Sequence, residues 1–132
     1  MPRWLQGGVT AATLIGVAAL DIPSVLAIVE AEQERTARQI ASLESVVAAI
    51  VEGSELTSTD DEHDPEGATI AYERAQASAL LRQARWDRDA LLVTRQQLID
   101  GRQVVCVGCG RAIDLERIAA LPTANRCVQC AA

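Results

Sequence analysis

The 132-residue chain has no phenylalanine and no lysine, and it carries one histidine, one tyrosine and two tryptophans. So few rings exclude a large aromatic core. The bulk is alanine, leucine, valine and arginine, a composition that favours helix. With lysine absent, all twelve basic residues are arginine, a uniformity that suits a GC-rich genome better than twelve separately selected contacts. His63 has no second histidine or cysteine near it in sequence and reads as an exposed loop residue. The longest apolar run, residues 7–20 (GGVTAATLIGVAAL), is too short to span a bilayer as a helix and stops at Asp21. With Arg3 ahead of it the run has a faint likeness to a signal peptide, but no small-x-small cleavage site precedes Asp21-Ile-Pro23. It is expected to be a segment packed against the rest of the protein or an extension, in a cytoplasmic chain with no membrane partner. No nucleophile–base pair and no phosphate-cradling loop can be found, so an enzyme is not expected.

Cysteine is absent from the first 105 residues and then occurs four times in the last 27. The spacing is Cys106-Val-Gly-Cys109, 17 residues, Cys127-Val-Gln-Cys130. Each C-x-x-C turn can present two sulfurs to one ion, and two turns complete a tetrahedron, so the four cysteines are read as ligands of one Zn2+. Gly110 follows the first pair, where a knuckle often needs a positive φ. The competing readings are two disulfides, which require an oxidising compartment, or a redox dithiol. With all four positions taken by protein, such a site is structural, since a catalytic zinc keeps one position for water. Residues 101–132 are too few for an adequate core of their own, so the metal is expected to act as a folding device.

The net charge of −6 is concentrated in one place. Residues 53–66 hold Glu55, Asp60, Asp61, Glu62, Asp64 and Glu66 and no arginine; the remaining twelve acids balance the twelve arginines. A broad basic surface for nucleic acid is therefore missing, and direct sequence-specific DNA binding is not expected.

Two long helices flank the acidic stretch. Asp21-Ile-Pro23 is a helix start with proline in the first turn. From there Ile22, Leu26, Val29, Gln33, Thr36, Ile40, Leu43, Val47 and Ile50 follow a 3–4 spacing, an a/d seam with two polar members, ended by Gly53 and Ser54. A second helix is expected from Pro65 to Asp100, with Ile70, Ala77, Ala84, Leu91 and Leu98 at every seventh position and Leu80, Leu81 and Leu92 widening the stripe. The fold class that results is mainly α: a long antiparallel coiled-coil hairpin of ~45–50 Å with a small C-terminal four-cysteine module. The divisions are residues 1–21, the hairpin at 22–100 with its acidic tip at 53–66, and the zinc module at 101–132. Between the knuckles, residues 113–118 are expected to form a short helix capped by Asp114, with Leu115, Ile118 and Leu121 facing the core and Pro122 beyond its end.

The tip carboxylates Asp60, Asp61, Glu62, Asp64 and Glu66 form a negative probe at the end of a stiff arm, suited to a metal ion, an arginine cluster or a basic channel. Part of the acidity has a local reason. Asp64-Pro65-Glu66 fits an N-cap, a proline at the first helical position and an acid in the first turn, and Thr59-x-x-Glu62 fits a capping box. Calcium binding is disfavoured, since the loop lacks the D-x-D-x-D-G pattern. Arg82, Arg85, Arg88 and Arg95 lie outside the apolar column of the second helix, either as grips for an acidic partner or as a solvated face paired with neighbouring acids.

The chain resembles the DksA/TraR family of bacterial transcription regulators. The resemblance rests on Cys106-Val-Gly-Cys109-Gly110, Ile113, Arg117-Ile118, Ala120, Pro122-Thr123 and Cys127-Val-Gln-Cys130. The preceding long helix and the Asp64-Pro65 at its start add to it, so that roughly residues 55–130 are covered. It implies a zinc-stabilised base, RNA polymerase as partner, and an arm that enters the secondary channel so that acidic tip residues approach the active site. Family tips carry D-x-x-D-x-A. An alignment on Asp64 puts Gly67 and Thr69 at the second and third positions, and one on Asp61 and Asp64 puts Glu66 at the third. A dependence on ppGpp is not carried over. The other readings of the same features are a zinc-stapled coiled-coil adaptor that self-associates or binds another helix, and a thiol redox sensor that releases its metal on oxidation.

Overall fold

The structure is a computed structural model that describes residues 20–56 and 65–131. Four helices follow one another: α1 (Ile22–Leu56), α2 (Pro65–Ile99), α3 (Leu115–Ala120) and α4 (Val128–Ala131). α1 and α2 lie along each other, and α3 packs on α1. Two ion pairs define the direction of the pairing: Glu30 meets Arg95 and Glu44 meets Arg85, so one chain climbs as the other descends. The expected antiparallel hairpin with a C-terminal four-cysteine module is what the chain forms. At 35 residues each, the helices measure about 50 Å at 1.5 Å per residue.

The helix ends are fixed by local chemistry. Asp21 caps α1, its carboxylate accepting the backbone N–H of Ser24 at 2.9 Å. A bond from the Ser24 hydroxyl, helped by that backbone N–H, holds the Asp21 carboxyl below its ordinary range. α1 does not stop at Gly53 and Ser54 as expected but runs to Leu56. The Ser54 hydroxyl donates to the Val51 carbonyl at 2.8 Å, which satisfies the group inside the helix instead of breaking it. At the other end of the hairpin, Gly101 adopts φ +70°. Its N–H reaches the Leu98 carbonyl at 3.2 Å and that of Arg102 the Gln97 carbonyl at 2.8 Å. This is a Schellman closure, in which the glycine takes a left-handed conformation that a Cβ would strain.

The seam carries two buried clusters. The basal one joins Val25, Val29, Leu91 and Leu98 of the hairpin to Val104, Cys106, Ile113 and Ile118 of the module, with Leu20, Leu26, Leu115 and Ala119 against it. The upper one is Ile40, Leu81 and Ala84, flanked by Leu43 and Val47. Between them on α1 lie half-buried Gln33 and buried Thr36. Thr36 and Thr94 are the buried polar side chains, and no buried side-chain polar atom among the described residues lacks a hydrogen-bond partner. Burying the Thr36 hydroxyl therefore incurs no penalty for a missing bond.

Some seam assignments shift. Ile22 is exposed, and Val25, one turn on, is fully buried in the place expected of it. The α2 column of Ala77, Ala84, Leu91 and Leu98 is buried and Ile70 half-buried, but of the three leucines expected to widen it only Leu81 turns inward; Leu80 and Leu92 face solvent. A two-helix ribbon offers each helix one partner, so only a narrow stripe can be covered. No described helix is long and apolar enough to cross a membrane.

Candidate metal centre

Past Gly101 the chain forms a tight turn around the first cysteine pair. Val105 and Ala112 form an antiparallel bridge. The flanking bonds run from Cys106 N–H to the Arg111 carbonyl (2.8 Å) and from Ile113 N–H to the Val104 carbonyl (2.7 Å). Inside the turn, Gly110 takes φ +75° as its position predicts, and its N–H closes on the Cys106 carbonyl at 2.9 Å. The second pair begins at Cys127, ahead of α4, whose Ala131 N–H bonds the Cys127 carbonyl at 3.0 Å. The two knuckles are tied directly, Val107 N–H donating to the Asn125 carbonyl at 2.9 Å.

This brings the four thiols of Cys106, Cys109, Cys127 and Cys130 together, with all sulfurs within 4.8 Å of one another. The Cys109 and Cys127 sulfurs are 3.7 Å apart. A tetrahedral zinc with bonds of about 2.3 Å separates its sulfurs by about 3.8 Å, so the spacing fits the ion. It does not fit a disulfide, which needs about 2.05 Å, and all four cysteines are free. The metal expected from the sequence, one structural Zn2+ with four protein ligands, has its site.

The site's electrostatics favour thiolate. Cys106 falls to about 6, mainly through the backbone N–H of Cys127, helped by those of Gly108 and Cys109 against the opposing effect of burial. Gly108 N–H lies 3.3 Å from the Cys106 sulfur. Cys127 is lowered first by the backbone N–H of Cys130. Cys130 is pushed up to about 12 by the sulfurs of Cys127, Cys109 and Cys106. Four crowded sulfurs thus hold some anionic charge but keep a proton when no cation shares them, and zinc displaces it.

Two residues around the metal site escaped the sequence reading. A methyl added to Gly108 would stand 3.2 Å from the Cys130 sulfur and 3.3 Å from its Cβ, so glycine there leaves room that a side chain would crowd. Its place between the two cysteines of one knuckle was the available signal. The module's short helix begins at Leu115, two residues later than expected, because Ile113 is held extended by its bond to Val104. Asp114 occupies the N-cap but its carboxylate makes no capping bond; its carbonyl accepts from Arg117 at 3.1 Å and Ile118 at 3.2 Å. Ile118 is fully buried and Leu115 half-buried, but Leu121 is exposed and Ala124 is buried in its stead.

At the opposite end, Asp60, Asp61, Glu62 and Asp64 lie outside the described residues, as do Thr59 and His63. α2 does begin at Pro65, and Glu66 stands exposed in its first turn. Along α2, Arg85 bonds Glu44 at 3.0 Å and Arg95 bonds Glu30 at 3.1 Å, both across the hairpin, while Arg88 pairs with adjacent Asp89 at 3.1 Å. Arg82 is exposed. Three of the four arginines therefore have intramolecular acids as partners.

A closed four-thiolate site at the root of a two-helix arm defines a class of protein, the zinc-stapled helical hairpin. Residues 99–132 match the prokaryotic dksA/traR C4-type zinc finger. The whole arrangement superposes on the structure of transcription factor DksA2 from Pseudomonas aeruginosa with a TM-score of 0.63 and 17% identity, over 83% of this chain and 79% of that one. None of the curated proteins matches the sequence significantly. The resemblance to the DksA/TraR family is thus borne out in the module by the family model, and the solved structure shows that the hairpin and module together share that fold.

Proposed function

We propose that this chain is a regulator of bacterial transcription that acts on RNA polymerase and not on promoter DNA. The observation that carries the reading is the joining of a DksA/TraR-type zinc finger to a rigid hairpin of the DksA fold. In this reading the module is the positioning base and the arm enters the polymerase secondary channel. The tip carboxylates Asp60, Asp61, Glu62, Asp64 and Glu66 then approach the catalytic centre and alter the lifetime of promoter complexes. The acidic net charge supports it, because a channel binder needs no basic DNA-facing surface. The protein accordingly works in the cytoplasm, and its role is regulatory, with no reaction of its own.

The test is co-elution of the zinc-loaded chain with its cognate polymerase at micromolar concentration, followed by transcription assays. Binding is expected, and the triple change Asp60→Asn, Asp61→Asn, Asp64→Asn should abolish the effect on transcription while leaving co-elution largely intact. Absence of co-elution with zinc present overturns the reading. Retained regulation by the triple variant overturns the role of the tip alone.

A further inference from the structure

The two knuckles of the metal centre are held in different ways. The first is built on the core. Cys106 belongs to the basal cluster. The turn is closed from within by backbone bonds from Cys106 N–H to Arg111, Gly110 N–H to Cys106 and Ile113 N–H to Val104. The second knuckle hangs on the loop that follows α3, with Cys127 and Cys130 half-buried against the cluster. Its backbone meets the first knuckle through Val107 N–H and the Asn125 carbonyl. The other fastenings are arginine side chains. Arg117 on α3 donates from Nε to the Arg126 carbonyl at 2.7 Å. Arg111 donates from Nη1 to Gln129 Oε1 at the longer distance of 3.3 Å. Both arginines border one surface depression with Cys127 and Asp114.

We infer that Arg117 is a positioning residue of the metal centre, a latch that holds the second knuckle within reach of the ion and sets how long zinc stays bound. The acceptor is the carbonyl of the residue directly before Cys127, so the bond fixes the peptide that carries the knuckle's first ligand. It spans nine positions and closes the loop after α3 with a side chain. A loop closed in this way has less freedom to lose each time its thiolates return to the metal. The latch also stands on firm ground. Its neighbour Ile118 is fully buried, α3 packs on α1, and Arg117 itself is half-buried. Arginine suits the task because its guanidinium is planar, always charged and donates a strong bond to a carbonyl. Zinc release then begins at Cys127 and Cys130, the side that Arg117 restrains, while Cys106 stays in the core. Through α3 the second half of the metal site is tied to the long arm.

Zinc transfer from the loaded, full-length chain to an excess of chromogenic chelator tests this. Arg117→Met keeps a good helix former and removes the bond. Its zinc should leave about tenfold faster, a loss usual for a residue that orients a ligand from behind. Arg126→Met removes a charge beside Cys127 but keeps the backbone carbonyl, and should release zinc at the unaltered rate. Cobalt-loaded Arg117→Met should still show the absorption of a tetrahedral four-thiolate site. Hydrogen exchange of the zinc-loaded Arg117→Met chain should quicken at residues 124–131 and stay unchanged at 104–113. Four results overturn the proposal. The first is an unaltered release rate in Arg117→Met. The second is equal acceleration in Arg126→Met, which would make the effect one of charge. The third is loss of the four-thiolate absorption, which would make Arg117 necessary for forming the site and not for retaining its metal. The fourth is exchange quickened equally at residues 104–113, which would make the effect one of general stability.

Discussion

Near its base the hairpin shares a core with the module; toward its tip, among the described residues, it has only itself. Val25, Val29, Leu91 and Leu98 are buried together with Val104, Cys106, Ile113 and Ile118, so four segments of chain contribute to one cluster. Higher up, Ile40, Leu81 and Ala84 are covered only by residues of the two long helices, Leu43 and Val47 among them. The seam has the same period in both halves, so the pattern does not make the difference. What makes it is the third partner that the metal folds into place. A helix draws most of its stability from packing, and the basal half therefore has a reserve that the upper half lacks. The upper half relies on close approach of small side chains and on the Arg85–Glu44 pair, both of whose members are about half exposed.

Removing the metal should break this contrast most severely. Stripping zinc with a chelator, or Cys127→Ser, is expected to unfold the module and strip the basal cluster of its cover. Structural zinc sites are worth on the order of 10 kcal/mol. Amide protection around Val104, Ile113 and Ile118 should vanish while part of the helical signal survives. An unchanged thermal transition without zinc would mean the two halves do not differ in the way described. Acid provides a graded version. Cys106 drops from 9.0 to about 6, so its thiolate contributes fully above about pH 9 and that contribution is lost as the pH falls through about 6. Zinc release followed with a chromogenic chelator should increase as the pH is lowered, because protons compete with the metal for the four thiolates.

Core truncations sharpen the comparison. Ile118→Ala, at a fully buried basal position, is expected to cost about 3–4 kcal/mol, and Leu81→Ala in the upper cluster about 2 kcal/mol. Equal costs in denaturant unfolding would erase the gradient. Gly108→Ala should cost about 1–2 kcal/mol through the crowded Cys130 sulfur and show as weaker zinc retention in competition with a chelator, with the upper half unaffected. Arg85→Ala removes a half-exposed pair and should cost under about 1 kcal/mol. A larger loss would make that ion pair the principal fastener of the upper arm.

The sequence made the metal site fully legible, because a thiolate site is defined by residue type and spacing along the chain, and Cys106, Cys109, Cys127 and Cys130 are local pairs. The α2 column was equally legible, since every seventh position can face a single neighbour. Facing was less legible where the partner lies outside the helix concerned. Val25 replaces Ile22 because α3 packs on α1 there, and no periodicity within α1 encodes that contact. Leu80 and Leu92 were read as stripe because hydrophobicity alone does not tell how narrow a two-helix contact is. Ala124 replaces Leu121 because the chain turns at Pro122, its Ala124 N–H closing on the Leu121 carbonyl at 2.9 Å, and a turn reverses the facing that a continued helix would have. The two readings of the α2 arginines stayed open in the sequence because Glu30 and Glu44, the acids that meet Arg95 and Arg85, are 65 and 41 residues away along the chain.

The Schellman closure at Gly101 has a mechanical consequence. It lies between a long arm and the base that must orient it, so angular play at that point is magnified over the arm's length. Over ~50 Å, a tilt of about 5° at the root displaces the far end by about 4 Å, roughly the width of one side chain. A left-handed glycine, two backbone bonds and a shared core at the pivot therefore act as an alignment joint: accuracy at the remote end is set by stiffness at the near one.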